Sequence, residues 1–243
     1  MSRHVLITGS STGIGRATAL HLSMNGWTVH AGVRRAADGQ ALEREAGSSL
    51  RSIVLDITDA SSVASAAAEL QQRVGTAGLG GLVNNAGVCF FGPVETVPID
   101  EWRKQFEINV FGHIAVTQAM LPLLRSGVVA SGTAAIVMMS SIAGRVGQPI
   151  LGPYCASKFA LEAVSDALRC ELAADRINVS ILEPGAIKSE IWRKAQEDAQ
   201  SMDRDNPAYE RYRIIMMGLP RSRWRRSKER SPRSAWLARL NGV

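Results

Sequence analysis

A chain of 243 residues with 46% hydrophobic and 21% charged side chains can bury a sizeable core as one large domain or two, which speaks against a disordered chain. The net charge of +6 is unevenly placed: residues 221–243 hold eight Lys/Arg against the single acid Glu229, a net +7, so the first 220 residues carry a net −1. Three cysteines, Cys89, Cys155 and Cys170, lack metal-like spacing, and so do the four histidines; reduced thiols, a cytoplasmic setting and no metal are expected.

The first apolar run, Val5-Leu6-Ile7, is too short for a signal peptide, and no run of membrane-spanning length is read anywhere in the chain. The run ends in Gly9-Ser10-Ser11-Thr12-Gly13-Ile14-Gly15 and is followed by helical periodicity through Ala17, Leu20 and Met24, so a strand, a glycine turn and a helix are predicted. Thr28 to Val33 reads as a second strand, and Asp38 as the cap of a short helix ending at Gly47. Ile53-Val54-Leu55 is a third strand closing on Asp56, an Ala-rich helix covers 61–74, and Gly81 to Asn84 is a fourth strand.

A long helix is predicted from Asp100 towards Leu124, with Pro122 late in it or at a kink. Ala134 to Met139 is a fifth strand, Tyr154 to Ala174 a helix with Phe159, Leu161, Val164, Leu168 and Leu172 on and around its apolar side, and Ile177 to Leu182 a sixth strand stopped by Pro184-Gly185. Alternating strands and helices at this spacing imply a doubly wound, parallel α/β sheet of the Rossmann kind in a single domain, residues 1–220, with 185–220 as a substrate lid.

Chemistry concentrates at the strand ends. A glycine turn at the first strand–helix junction offers free N–H groups and a helix dipole to a pyrophosphate, although a G-x-x-x-G-x-G spacing is also compatible with close packing alone. Where a carboxylate would hold a ribose 2′-hydroxyl at the end of the second strand, this chain has Arg34-Arg35; this favours NADP(H) over NAD(H), with a solvated basic loop as the alternative. Tyr154 and Lys158 are one helical turn apart, so they share a face, and a cation there is expected to lower the phenol pKa.

Thr8-Gly9 with Gly13-Ile14-Gly15, Asn84-Asn85-Ala86-Gly87, Ile108-Asn109-Val110, Ser140-Ser141, Tyr154 with Lys158, and Pro184-Gly185 follow one another in the order and at the separations of a known family. Over residues 4–190 the chain resembles the single-domain short-chain dehydrogenases/reductases, and the wording from Tyr154 to Glu162 is most similar to the hydroxysteroid and retinol dehydrogenase branch. The resemblance implies hydride transfer between a nicotinamide cofactor and an alcohol or carbonyl compound. It makes Tyr154 the general acid or base, Lys158 the holder of the nicotinamide ribose, Ser141 the partner of the substrate oxygen in preference to Ser140, and Asn109 part of a proton relay through water to Lys158.

For the cofactor, the resemblance implies contacts from Gly9, Ser11, Gly13, Ile14, Gly15, Arg34, Arg35, Asp56, Asn85, Ala86, Gly87, Tyr154, Lys158, Pro184, Gly185, Ile187 and Ser189. Asp56 is expected near the adenine amino group, with a turn-forming role as the alternative. Val88, Phe90, Phe91, Ile150, Leu151, Ile191 and Trp192 suggest a hydrophobic steroid-, retinoid- or small ketone-like substrate. Cys155 and Cys170 are expected to be buried helix residues rather than nucleophiles.

From Pro220 the composition changes abruptly, and where such families continue with a helix and a seventh strand this chain has Arg221-Ser222-Arg223-Trp224-Arg225-Arg226. The final helix and strand are therefore expected to be missing or altered, with a mobile basic tail over 221–243. Such a tail allows a second class of function, a non-catalytic nucleotide-binding protein or a binder of nucleic acid or anionic surfaces; the nucleic-acid reading is the weaker one, and a homodimer is compatible with the sequence.

Overall fold

The computed structural model describes residues 3–185, Ile187, Arg211 and Tyr212. Six strands form one parallel sheet, β1 (Arg3–Ile7), β2 (Trp27–Val33), β3 (Leu50–Val54), β4 (Gly81–Asn84), β5 (Ala134–Met139) and β6 (Ile177–Leu182), in the order β3-β2-β1-β4-β5-β6. Between them run α1 (Gly13–Met24), α2 (Ala36–Ala46), α3 (Ala60–Val74), α4 (Ile99–Phe106), α5 (Gly112–Ser131) and α6 (Gly152–Glu171). The strand order reverses direction between β1 and β4, and in such sheets ligands bind at that reversal, outside the carboxyl ends of the strands.

Strand alternation divides the core in two. Val5 and Ile7 of β1 pack with Ala19 of α1, Leu42 of α2 and Val29, Ala31 and Val33 of β2. Leu6, pointing the other way, joins Leu82, Ile136 and Met138 with Leu70 of α3, Met120 and Leu124 of α5 and Leu161 of α6. Both faces are covered, which is why these strands read as continuous apolar runs. Burying one such leucine contributes about 2 kcal/mol.

Three boundaries differ from expectation for local reasons. Asp38 does not cap α2; Arg35 is the flanking residue and takes the Asp38 carboxylate in a two-pronged ion pair, Nε–Oδ2 2.9 Å and Nη2–Oδ1 2.8 Å, inside the first turn. The helix expected to end near Leu124 runs to Ser131, where Gly132 adopts a left-handed conformation and closes it, with Pro122 inside. Continuous from Ile99 to Ser131, it is by length and composition alone apolar enough to cross a membrane. Val116, Met120, Leu123 and Leu124 nevertheless lie in the core against the sheet, as in the core helix of a globular domain.

α6 begins at Gly152 with Pro153 in its first turn and ends at Glu171, short of Ala174. Phe159 is 44% exposed rather than on the packed side. Most of the expected lid, the basic tail, the region of a final helix and seventh strand, and Ser189, Ile191 and Trp192 lie outside the described residues.

Candidate active site

The residues that follow the strands surround one cleft of about 310 Å3. Gly9, Ser11, Gly13 and Ile14 come from the turn after β1, Val33 and Arg34 from the end of β2, and Asp56 from beyond β3. Asn85 to Phe90 follow β4, Ser140 and Ser141 follow β5, and Pro184, Gly185 and Ile187 follow β6, while Tyr154 and Lys158 enter from α6. A single topological feature, parallel strands ending together, therefore gathers residues far apart in sequence.

The glycine turn is shaped by its neighbours. Gly9 has φ +66, and a Cβ there would stand 2.7 Å from the Ala86 Cα; a Cβ at Gly15 would stand 2.4 Å from the Gly9 carbonyl oxygen and 2.3 Å from Asn85 Nδ2. Gly15 thus serves the packing of the turn and is not among the cleft-lining residues. The Thr8 hydroxyl accepts from the Asn85 and Ala86 N–H groups at 2.9 and 3.0 Å, and Asn85 Nδ2 donates to the carbonyls of Thr8 and Gly9 at 2.9 and 3.1 Å. The Asn85 amide and the Thr8 hydroxyl together lock the turn to the loop after β4.

At the end of β2 the two arginines separate. Arg35 is held by Asp38, whereas Arg34 lines the cleft and makes no hydrogen bond or ion pair among the described residues. Asp56 lines the cleft and also forms a turn, its Oδ1 accepting from the Thr58 N–H at 3.0 Å and the Thr58 hydroxyl at 2.7 Å.

The opposite end of the cleft is built from buried side chains. Asn109 lies in a π-helical turn, Glu107–Phe111, inserted between α4 and α5. Such turns re-aim side chains by shifting the helical register. Far from a helix surface, Asn109 is wholly buried; Oδ1 accepts from the Val88 N–H at 2.9 Å, and Nδ2 donates to the Val88 carbonyl at 2.9 Å and to Ser157 Oγ at 3.1 Å. These three hydrogen bonds fix the loop after β4. Gln105, one turn earlier, does the same for Phe90 and Val88 at 2.8 Å each. Gln105, Ser157 and His113, whose Nε2 meets the Ala86 carbonyl at 2.7 Å, gave no motif-level signal; a polar residue repeating along an apolar helix was the available hint.

Ser141 opens the short helical turn Ile142–Gly144, accepts from the Ala143 N–H at 3.1 Å, and is hydrogen-bonded to Tyr154. Ser140 also lines the cleft, its buried hydroxyl close to Gly144 and without a hydrogen-bond partner among the described residues. Burial pushes the Tyr154 phenol up to about 12, outweighing the Ser141 hydrogen bond that favours ionisation. This corrects the expectation that Lys158 lowers it. The Lys158 ammonium sits 5.7 Å from the Tyr154 ring centroid, donates to the Met139 carbonyl at 2.7 Å, and is itself brought down to about 8 by burial.

Among the described residues, the expected apolar lining is present in part. Val88 and Phe90, together with Cys89, line the cleft. Ile150 and Leu151 instead brace the loop after β4, with Gly92 N–H donating to the Ile150 carbonyl at 2.8 Å, and Phe91 packs on the cluster of Leu151, Cys89 and Cys155. Cys155 is buried as expected but Cys170 is exposed.

A dinucleotide fits this cleft: a turn whose glycines exclude side chains leaves room for phosphates beside the start of α1, the Arg34 guanidinium stands at the end of β2, and buried donors stand at the far end. Residues 3–200 match the family model described as short chain dehydrogenase. An NADPH-dependent 3-dehydrocapnine reductase of Ornithobacterium rhinotracheale is 42% identical over 194 residues, 80% of this chain and 69% of that protein. Human retinol dehydrogenase 5 is 42% identical over 77% of this chain and 57% of its own length. The crystal structure of a 3-ketoacyl-(acyl-carrier-protein) reductase from Brucella melitensis complexed with NADH superposes with a TM-score of 0.74 at 26% identity, covering 79% of this chain and 78% of that one.

Proposed function

The chain belongs to the short-chain dehydrogenases/reductases, oxidoreductases that bind NAD(P), and from that premise we propose that it reduces a hydrophobic carbonyl compound with NADPH, Tyr154 acting as general acid. The observation that carries this reading is the hydrogen-bonded meeting of Ser141 and Tyr154 beside a buried Lys158, in the cleft that also holds the glycine turn.

When bound, the nicotinamide supplies the hydride. Gly9, Ser11, Gly13 and Ile14 would hold its phosphates, Arg34 a 2′-phosphate by charge-assisted hydrogen bonds, and Lys158 and Ile187 the nicotinamide end, with Asp56, Asn85, Ala86, Gly87, Pro184 and Gly185 as walls. Ser141 and Tyr154 converge on the substrate oxygen, where two donors steady developing negative charge. A phenol pushed up to about 12 by burial is protonated at neutral pH, so Tyr154 can give a proton to that oxygen in reduction. Oxidation requires the same phenol as base and gains as pH rises. Asn109 and Gln105 are positioning residues; by gripping Val88 and Phe90 they hold the loop opposite Ser141.

Val88, Cys89, Phe90 and Ile187 give the reacting end an apolar lining, which supports a hydrophobic substrate, and the retinol-oxidising name of one relative points to the same class. The test is NADPH consumption with a panel of apolar ketones and aldehydes. Turnover is expected, with a fall of about 10³-fold in kcat for Tyr154→Phe. A folded parent protein that binds NADPH yet reduces nothing in the panel, or a Tyr154→Phe variant of undiminished kcat, overturns the reading.

A further inference from the structure

Arg145 and Glu162 take no part in the chemistry above, yet they stand where three segments of the site meet. Glu162 lies one turn beyond Lys158 on α6, so Tyr154, Lys158 and Glu162 follow one another along one face of that helix. Its side chain is 7% exposed and its Oε2 is 3.0 Å from an Arg145 guanidinium nitrogen. Arg145 follows directly on the turn that Ser141 opens. The same guanidinium donates twice to Glu183 Oε1, from Nε at 3.0 Å and from a terminal nitrogen at 2.9 Å, at the end of β6 next to Pro184-Gly185.

A carboxylate buried to this degree is costly to keep unless paired. Among the described residues neither oxygen of Glu162 has a hydrogen-bond partner, so the ion pair to Arg145 is its compensation. Gly144 makes room for it, since a Cβ there would stand 3.0 Å from Glu162 Oε1 and 2.7 Å from Ser140 Oγ. The neighbouring backbone runs through the same junction: Ile142 N–H donates to the Pro184 carbonyl at 3.1 Å and Ser140 N–H to the Leu182 carbonyl at 2.8 Å. Glu162 also faces Lys158 and favours its charged form against burial.

We infer that Glu162 and Arg145 are positioning residues: through one guanidinium they tie the helix carrying Tyr154 and Lys158 to the Ser141 turn and to the strand end at Glu183-Pro184, and so set the distance between the serine hydroxyl and the phenol. The inference rests on the roles proposed above for Ser141 and Tyr154. A displacement of about 1 Å between such groups costs on the order of 10²-fold in rate, which is the scale at which a remote ion pair becomes visible in kcat.

The experiment compares Glu162→Gln, Arg145→Met, Arg145→Lys and the charge-free double variant Glu162→Leu/Arg145→Met with the parent. It measures kcat, KM, NADPH affinity by fluorescence titration, melting temperature, and amide hydrogen exchange of peptides spanning 140–146 and 182–185. Arg145→Met is expected to lose about 30–100-fold in kcat with NADPH affinity within about threefold of the parent, and Arg145→Lys to recover most of it. The double variant, free of a buried unpaired charge, regains the melting temperature but not kcat. Both peptides are expected to exchange about tenfold faster in Glu162→Gln and Arg145→Met.

A lower melting temperature with kcat unchanged, or kcat recovered together with stability in the double variant, overturns the inference and leaves a purely structural pair. Unchanged exchange in both peptides overturns it as well. A parent without turnover would defeat the proposed reaction instead, and the exchange measurement would still decide whether the tie exists.

Discussion

The two ends of the cleft are built by opposite means. At the end proposed to hold the phosphates the material is backbone and space: Gly9 and Gly15 admit no Cβ, Arg34 is exposed, and Asp56 belongs to a turn. At the reacting end the material is buried side chains, with Asn109, Ser141, Tyr154 and Lys158 all below 7% exposed and each bonded to a neighbour. Phosphates are recognised by N–H groups and charge that any backbone supplies, whereas proton transfer to one oxygen needs groups that cannot rotate away. Changes at the reacting end should therefore act on kcat, and changes at the phosphate end on cofactor affinity or folding.

The largest effect expected from breaking that division is at the turn. Gly9→Ala places a methyl group against Ala86 at a backbone conformation unfavourable for side chains, at a cost of about 3 kcal/mol; a denaturation midpoint lowered accordingly, with weakened NADPH binding, is the expected result. Next comes acid. Burial lowers His30 to about 4 and His113 to about 3, so both are neutral in the folded protein, and their contribution is complete above the unfolded value of 6.5 and is lost as pH falls towards the folded values. At pH 5 each should have cost about 2 kcal/mol, and a His113→Gln variant should show a shallower fall in melting temperature between pH 7 and pH 5. The smallest effect sharpens the comparison at β2. Arg34→Ala should raise KM for NADPH about tenfold while leaving KM for NADH and both kcat values within about twofold, measured by initial rates.

The phosphate end was the more legible in sequence, because a glycine that excludes a side chain is itself a signal. The sheet was legible for the same kind of reason: β4, β5 and β6 fall on the residues expected of them, since a strand covered on both faces is apolar throughout. The reacting end was legible only in its motif residues. Nothing in single-residue patterning announces that Asn109 occupies a π turn, that Gln105 holds Phe90, or that Glu162 pairs with Arg145, because these depend on which helices lie side by side. Asp38 and Arg35 misled for a related reason; a residue suited to capping was taken instead by a neighbouring charge. The Tyr154 expectation failed because desolvation of a phenol that is 5% exposed is the largest influence on it and outweighs the Ser141 hydrogen bond that favours ionisation.

The central claim, that Tyr154 protonates a carbonyl oxygen as hydride reaches the adjacent carbon, is tested most directly with NADPH deuterated at the nicotinamide C4 and an apolar ketone turned over by the parent protein. The account predicts deuterium at the carbinol carbon of a single alcohol stereoisomer, and a rate reduced about 10³-fold in Tyr154→Phe at unchanged NADPH affinity. Label absent from that carbon, or transferred by Tyr154→Phe at the parent's rate, would contradict it.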